Sequence, residues 1–120
     1  MQATVEEEVR AVNQAFERAL LAQDAEALGA LYWEDARIMV PGQPAIQGRA
    51  AIEPVLRAWV ENGPVATRFE SEEVISGGEL VIDIGSTIQG SGRRGKYVVV
   101  HRRGPDGKLR IAVDSASGDG

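Results

Sequence analysis

Leu31-Tyr32-Trp33-Glu34-Asp35-Ala36-Arg37-Ile38-Met39-Val40-Pro41-Gly42, followed by Gly48-Arg49-Ala50-Ala51-Ile52, is the stretch that decides the fold. An amphipathic segment ends at Leu31. Ile38 to Val40 reads as a short strand that stops at the Pro41-Gly42 turn, and a new helix opens after Gly48.

Upstream, Val5, Val9, Val12, Phe16, Ala19 and Leu20 recur at spacings of three and four, the apolar stripe of an amphipathic helix. Thr4 and Glu7 form a capping box, and Glu6, Glu7 and Glu8 complement the positive end of the helix dipole. Asp24 caps a second, shorter helix with Leu28 and Leu31 on its inner face. Ile52, Val55, Leu56, Trp59 and Val60 mark a third. Pro54 is tolerated there only near the first turn, which sets the start near Ala50 or Ala51. Asn62-Gly63-Pro64 ends it.

Downstream the period changes to two. Thr67 to Ile75, Leu80 to Gln89, Lys96 to Arg103 and Lys108 to Ala116 read as strands separated by glycine-rich turns. Three helices followed by an antiparallel meander make an α+β chain, with helices on one face of a sheet. Its 120 residues fit one domain, 1–120.

The net charge of −5 argues against nucleic acid as a partner. Arg93-Arg94 and Arg102-Arg103 read as solvated hairpin ends. Without cysteine the chain has no disulfide, thiolate metal site or cysteine nucleophile, and one histidine cannot make a multi-histidine zinc site. Met1 to Glu8 is acidic and lacks the apolar core of a signal peptide. No apolar run approaches membrane-spanning length. The expected location is the cytoplasm.

The last hairpin admits two registers. A four-residue loop, Gly104 to Gly107, pairs Arg103 with Lys108, Val99 with Ala112 and Tyr97 with Asp114. One face then carries Tyr97, Val99, His101, Arg110, Ala112 and Asp114. The other carries Val98, Val100, Leu109, Ile111 and Val113. A three-residue loop with a bulge at Gly107 shifts the pairing by one and sets Asp114 opposite Val98. The first sorts the aliphatic residues onto one face and is preferred.

Tyr32, Asp35-Ala36, Pro41-Gly42, Gly48-Arg49, Tyr97, Val100, Arg103 and Asp106-Gly107 together resemble the nuclear transport factor 2-like superfamily, in particular its ketosteroid-isomerase-like and SnoaL-like members. The resemblance implies a cone-shaped α+β barrel, a curved antiparallel sheet packed with three N-terminal helices around one pocket. It also implies a homodimer. The aliphatic face of the last hairpin then lies on the convex side of the sheet, where a second copy would cover it.

Steroid isomerisation does not carry over. The family's oxyanion-hole tyrosine, catalytic aspartate and second oxyanion-hole acid fall at Phe16, Val40 and Val99, none of which donates or accepts a proton. In the cyclase-like members a carboxylate on the last strand acts as general acid/base, and Asp114 is the position that matches. Desolvation inside an apolar cone raises the pKa of such a group, which suits it to take a proton from a carbon acid near neutral pH. The alternative is an Asp114 near the open end, hydrogen-bonded to Tyr97 or to backbone.

His101 reads as a partly exposed strand residue, with an acid/base role as the alternative. Asp83, in an apolar strand, needs a partner; it is either a second pocket acid or turned outward towards Arg68 or the Arg93-Arg94 pair. Tyr32 and Trp33 read as core and lid packing, and Asp35 as a turn or capping residue. The expected function is an isomerase or cyclase acting on a hydrophobic small molecule without metal or organic cofactor. Asp114, Tyr97, His101 and Asp83 would be its catalytic candidates, and Phe16, Val40, Leu56, Trp59 and Val99 would line the pocket. The alternative is a ligand-binding or dimerising domain without chemistry.

Overall fold

The computed structural model describes residues 3–61 and 67–119. Helix α1 (Val5–Leu21) opens on the expected capping box: the Glu7 N–H donates to Thr4 Oγ1 and the Thr4 N–H to Glu7 Oε1, each at 3.1 Å. It buries Val9, Phe16, Ala19 and Leu20. Helix α2 (Ala25–Gly29) is capped by Asp24, which accepts from the Ala27 N–H at 3.0 Å. Strands β1 (Tyr32–Met39) and β2 (Ile46–Gln47) follow, and then helix α3 (Arg49–Glu61).

Two boundaries differ from expectation. Strand β1 begins at Tyr32, six residues before Ile38, because a neighbouring strand supplies a pairing edge that the Glu34-Asp35 interruption conceals in the sequence. Helix α3 starts at Arg49, so Pro54 is its sixth residue and Ala50 loses a hydrogen-bond donor to its carbonyl. Ala50 is exposed, so water can take that place. The expected stop at Asn62-Gly63-Pro64 lies outside the described residues.

The meander forms as expected: β3 (Thr67–Gly77), β4 (Leu80–Gln89), β5 (Arg94–Arg103) and β6 (Leu109–Gly118). The six strands make one curved, unclosed sheet in the order β2-β1-β6-β5-β4-β3. It is an open cone, not a closed barrel. Nor is it wholly antiparallel, since β1 runs parallel to β6, with Ile38 opposite Asp114. No helix of the described residues is long and apolar enough to cross a membrane.

The last hairpin adopts neither expected register. Residues 104–108 form the loop, closed by the Gly104 N–H to the Lys108 carbonyl at 2.9 Å, with Gly107 at φ 80°. Arg103 pairs with Leu109 and His101 with Ile111. Ala112 is then skipped, so Val100 pairs with Val113, Val99 with Asp114 and Tyr97 with Ala116. That bulge reverses the inward parity of β6 midway. Leu109 and Ile111 point inward before it and Asp114 after it, while Arg110 turns outward.

The expected register would have put Arg110 under the helices. Outside, Arg110 meets Asp106 at 2.6 Å, and its guanidinium lies 5.6 Å from the Trp33 ring centre. Trp33 is held there by its indole N–H, which donates to the Arg102 carbonyl at 2.9 Å. Asp35, in β1 and not in a turn, pairs with Arg102 at 3.3 Å.

The core lies between the helices and the concave face. Phe16, Leu28, Tyr32, Ile38, Ile52, Leu56, Tyr97, Val99 and Ile111 form its centre. Arg103 straps α1 to the sheet through two bonds to the Glu8 carboxylate, at 2.7 and 2.9 Å.

Candidate functional site

Two tyrosine–aspartate pairs sit on the concave face. In the first, the Tyr32 hydroxyl donates to Asp114 Oδ2 at 2.6 Å. In the second, the Tyr97 hydroxyl donates to Asp83 Oδ2 at 2.9 Å. The expected Tyr97–Asp114 pair does not form, because the five-residue loop and the bulge at Ala112 together set Asp114 opposite Val99. Between the pairs runs an aromatic row: Phe16 lies 6.3 Å from Tyr32 and 5.0 Å from Phe69, and Phe69 lies 5.7 Å from Tyr97, the last two contacts edge-on.

Asp114 is the carboxylate with a route to solvent. It is 8% exposed and sits at the floor of a cleft of about 510 Å³ at the open end of the cone. Phe16, Leu20, Val40, Trp59, Phe69 and Ala116 make the walls, and Thr67, Thr87, Gln89, Arg93 and Arg94 stand further out. Burial pushes the Asp114 carboxyl above the usual carboxylate range, and the Tyr32 hydrogen bond partly opposes this. Burial, and then the adjoining carboxylate, push the Tyr32 phenol up as well, so it stays a donor.

Asp83 is fully buried and turned inward, not towards Arg68 or the Arg93-Arg94 pair. Its charge is satisfied by neutral donors: the Tyr97 hydroxyl, the Ser71 hydroxyl and the Asn13 amide, the last at 3.1 Å. Gly85 makes this possible. A Cβ there would lie 2.7 Å from the Tyr97 hydroxyl oxygen and 2.2 Å from the Glu70 carbonyl oxygen.

His101 is fully buried rather than partly exposed, and neither ring nitrogen has a hydrogen-bond partner among the described residues. Burial holds its pKa down to about 4, with the nearby Asp83 charge pulling the other way. The reading as a strand end fails because His101 carries the inward parity of Tyr97 and Val99.

The structure thus brings Asp114, Phe16, Val40 and Trp59 together in one cleft. Val99 packs in the core beside Asp114, and Leu56 faces the core and a groove between α2 and α3. Tyr97, Asp83 and His101 form a separate interior group. Sequence reasoning missed Tyr32 as the partner of Asp114; the signal was an aromatic residue with a polar tip next to a charged strand. It also missed Phe69, which stands beside Glu70, Glu72 and Glu73 in its strand.

A cone of curved sheet with helices over its concave face, and one buried carboxylate opening to an apolar mouth, defines a class of small α+β pocket domains. Residues 12–111 match the model of the SnoaL-like domain, and the chain belongs to that family, within the nuclear transport factor 2-like superfamily. No curated protein matches the sequence. Among solved structures, an NTF2-like protein with a cystatin-like fold from Novosphingobium aromaticivorans is 26% identical, with a TM-score of 0.79 over 96% of this chain and 82% of that one. A ketosteroid isomerase-like protein from Erwinia carotovora atroseptica is 21% identical, with a TM-score of 0.77 over 98% and 99%. A protein from Catenulispora acidiphila, solved in complex with S-DNPA, is 23% identical, with a TM-score of 0.77 over 98% and 96%.

Proposed function

We propose that the cleft is the active site of a cofactor-free isomerase or cyclase that moves a proton on a hydrophobic small molecule. The family includes isomerases and cyclases. One observation carries the reading: the carboxyl at the cleft floor has its pKa raised by burial, is held by a phenol, and faces apolar walls. A base of raised pKa is better matched to a carbon acid than an exposed aspartate is. Asp114 takes a proton from a carbon next to a carbonyl and returns it elsewhere on the same molecule. Tyr32 fixes the carboxylate, and Thr67, Thr87 and Gln89 offer polar contacts to substrate oxygens. Asp83, Tyr97 and His101 serve the interior rather than the reaction.

The test needs no natural substrate. Hydrophobic ketones are incubated with the protein in heavy water, and deuterium uptake at the α-carbon is followed by NMR. Uptake that disappears in Asp114→Asn supports the proposal; uptake that persists in that variant removes Asp114 from the mechanism.

A second reading, ligand binding without turnover, draws on Phe16, Val40 and Val99, which leave the inner wall without an oxyanion donor. The Catenulispora relative in complex with S-DNPA is consistent with either reading. Under the second, ketone binding survives Asp114→Asn and no exchange is seen in any variant.

We also propose that a second copy of the chain covers the outer face of the sheet. The strand register aligns Ile75, Ile82, Val100 and Val113 across four strands, with Ile84 and Val98 beside them. Val98 is 43% and Ile75 46% exposed. A continuous apolar row of this kind is usually covered.

A further inference from the structure

Three clefts among the described residues differ in their charges. The groove between α2 and α3 is lined by Asp24, Glu26, Glu53 and Glu61 against Arg49 and Arg57, and the one between α1 and β3 by five glutamates against Arg10 and Arg68, so acids outnumber bases in both. The cleft over Asp114 has no other carboxylate in its lining, and Arg93 and Arg94 stand at its outer edge. In a chain of net charge −5 that is the reverse of the general balance.

Among the described residues neither arginine side chain has an ion-pair partner; the nearby Asp119 carboxylate bonds instead to Lys96 at 3.4 Å. Residues 62–66, which precede the cleft residue Thr67, carry no charged side chain. Two cations therefore stand at the mouth of an apolar cleft with no ion-pair partner among the described residues. Arg93 follows the β4–β5 turn and Arg94 opens β5; both are exposed and both line the cleft. The Asp114 level, set by its pairing with Val99, lies five residues from Arg94 along β5, about 16 Å at the strand rise.

We infer that the cleft takes an amphipathic acid: an apolar body against Phe16, Trp59 and Phe69, with its anionic group at Arg93 and Arg94 and its far end near Asp114. This rests on the cleft being the small-molecule site proposed above. The order of charges suits such a ligand. An anion placed at the floor would meet Asp114, whereas an anion at the mouth meets guanidinium groups able to bind a carboxylate through paired N–H donors. The apolar body supplies most of the affinity and the arginines set its direction.

The experiment measures displacement of the neutral dye N-phenylnaphthylamine by decanoate and by decanol, two probes with the same chain and different heads. With wild-type protein at low salt and neutral pH, decanoate is expected to bind roughly three- to tenfold more tightly than decanol, as suits two partly solvated ion pairs. The preference shrinks in high salt. In Arg93→Gln/Arg94→Gln it disappears, while decanol affinity is unchanged. Equal affinities in the wild type, or a preference that survives in the double variant, overturn the inference and leave the cleft reading intact. A dye that never binds, or is displaced by neither probe, overturns both.

Discussion

Tyr32 donates its hydroxyl hydrogen to Asp114 across 2.6 Å, although 82 positions separate the two in sequence. The parallel pairing of β1 with β6 brings them together, and burial then raises the Asp114 pKa while the phenol restrains the rise. This balance sets the first two predictions.

Asp114→Asn removes the carboxylate base of the cleft, so proton exchange on hydrophobic ketones should fall by at least about 10²-fold. The same change should raise the melting temperature at neutral and alkaline pH. A carboxyl whose pKa is higher folded than unfolded binds its proton more tightly in the native state, so it costs stability as pH rises from the unfolded value through the folded one. An amide has no such cost. Melting curves against pH check the sign, and a destabilised variant above neutral pH would contradict it.

Tyr32→Phe takes away the one interaction that lowers the Asp114 pKa. The pH at which exchange switches on should therefore move upward, with the rate at high pH reduced less than the rate at neutral pH. A pH–rate profile reads this directly. An unmoved profile would mean that the phenol does not touch the carboxylate in solution.

His101 makes the fold acid-sensitive. Its pKa of about 4 lies below the ordinary 6.5, so the native state resists a proton that the unfolded chain accepts. Stability should decline as pH falls from 6.5 towards 4 and stop declining on this account below that. The loss is on the order of 3 kcal/mol for this group. His101→Leu, which leaves no buried nitrogen without a partner, should flatten that part of the curve. Chemical denaturation of both proteins at several pH values would show whether it does.

Gly85→Ala should destabilise by about 2 kcal/mol or more, within the usual range for overpacking a tight site. The added carbon meets a backbone oxygen that cannot swing away and the phenol that satisfies Asp83. Urea midpoints provide the measure. A neutral result would mean that β3 and β4 separate more easily than their pairing suggests.

Val98→Lys places a charge beside the outer apolar row without touching the core. Wild type is expected to run as a dimer in size exclusion with light scattering at micromolar concentration, and the variant as a monomer of similar melting temperature. A monomeric wild type removes the dimer proposal.

How far the sequence could be read depends on what each element rests upon. The capping box at Thr4 and Glu7, the Asp24 cap and the alternation through β4 and β5 are local, and the structure has them within a residue or two. The long β1 and its parallel partner are not local. Glu34 and Asp35 break the apolar alternation, and nothing nearby announces an edge from the far end of the chain. The last hairpin failed for a related reason. Sorting residues by aliphatic character treats Arg110 and Ala112 as interior positions, whereas the five-residue loop turns Arg110 outward to Asp106 and Trp33, and the bulge at Ala112 then returns Asp114 to the inner face. The longer loop and the skipped residue together moved Asp114 two positions along β5, from Tyr97 to Val99, and within reach of Tyr32. Asp114 itself was legible as an inward carboxylate; its partner was not.

The place of β6 in the sheet has a consequence for how the molecule is made. It lies between β1 and β5, so until it emerges from the ribosome the strands of the nascent chain belong to two separate sheets, β1 with β2 and the β3–β5 meander, linked only through the packing of α1 on β3 and its bonds to the meander. Each then exposes an open edge, at β1 and at β5, and domains complete themselves only when such edges are paired. The segment that carries the proposed base is also the segment that joins the halves. Catalytic competence and completion of the fold would therefore arrive together, and no partly synthesised chain would hold a working cleft.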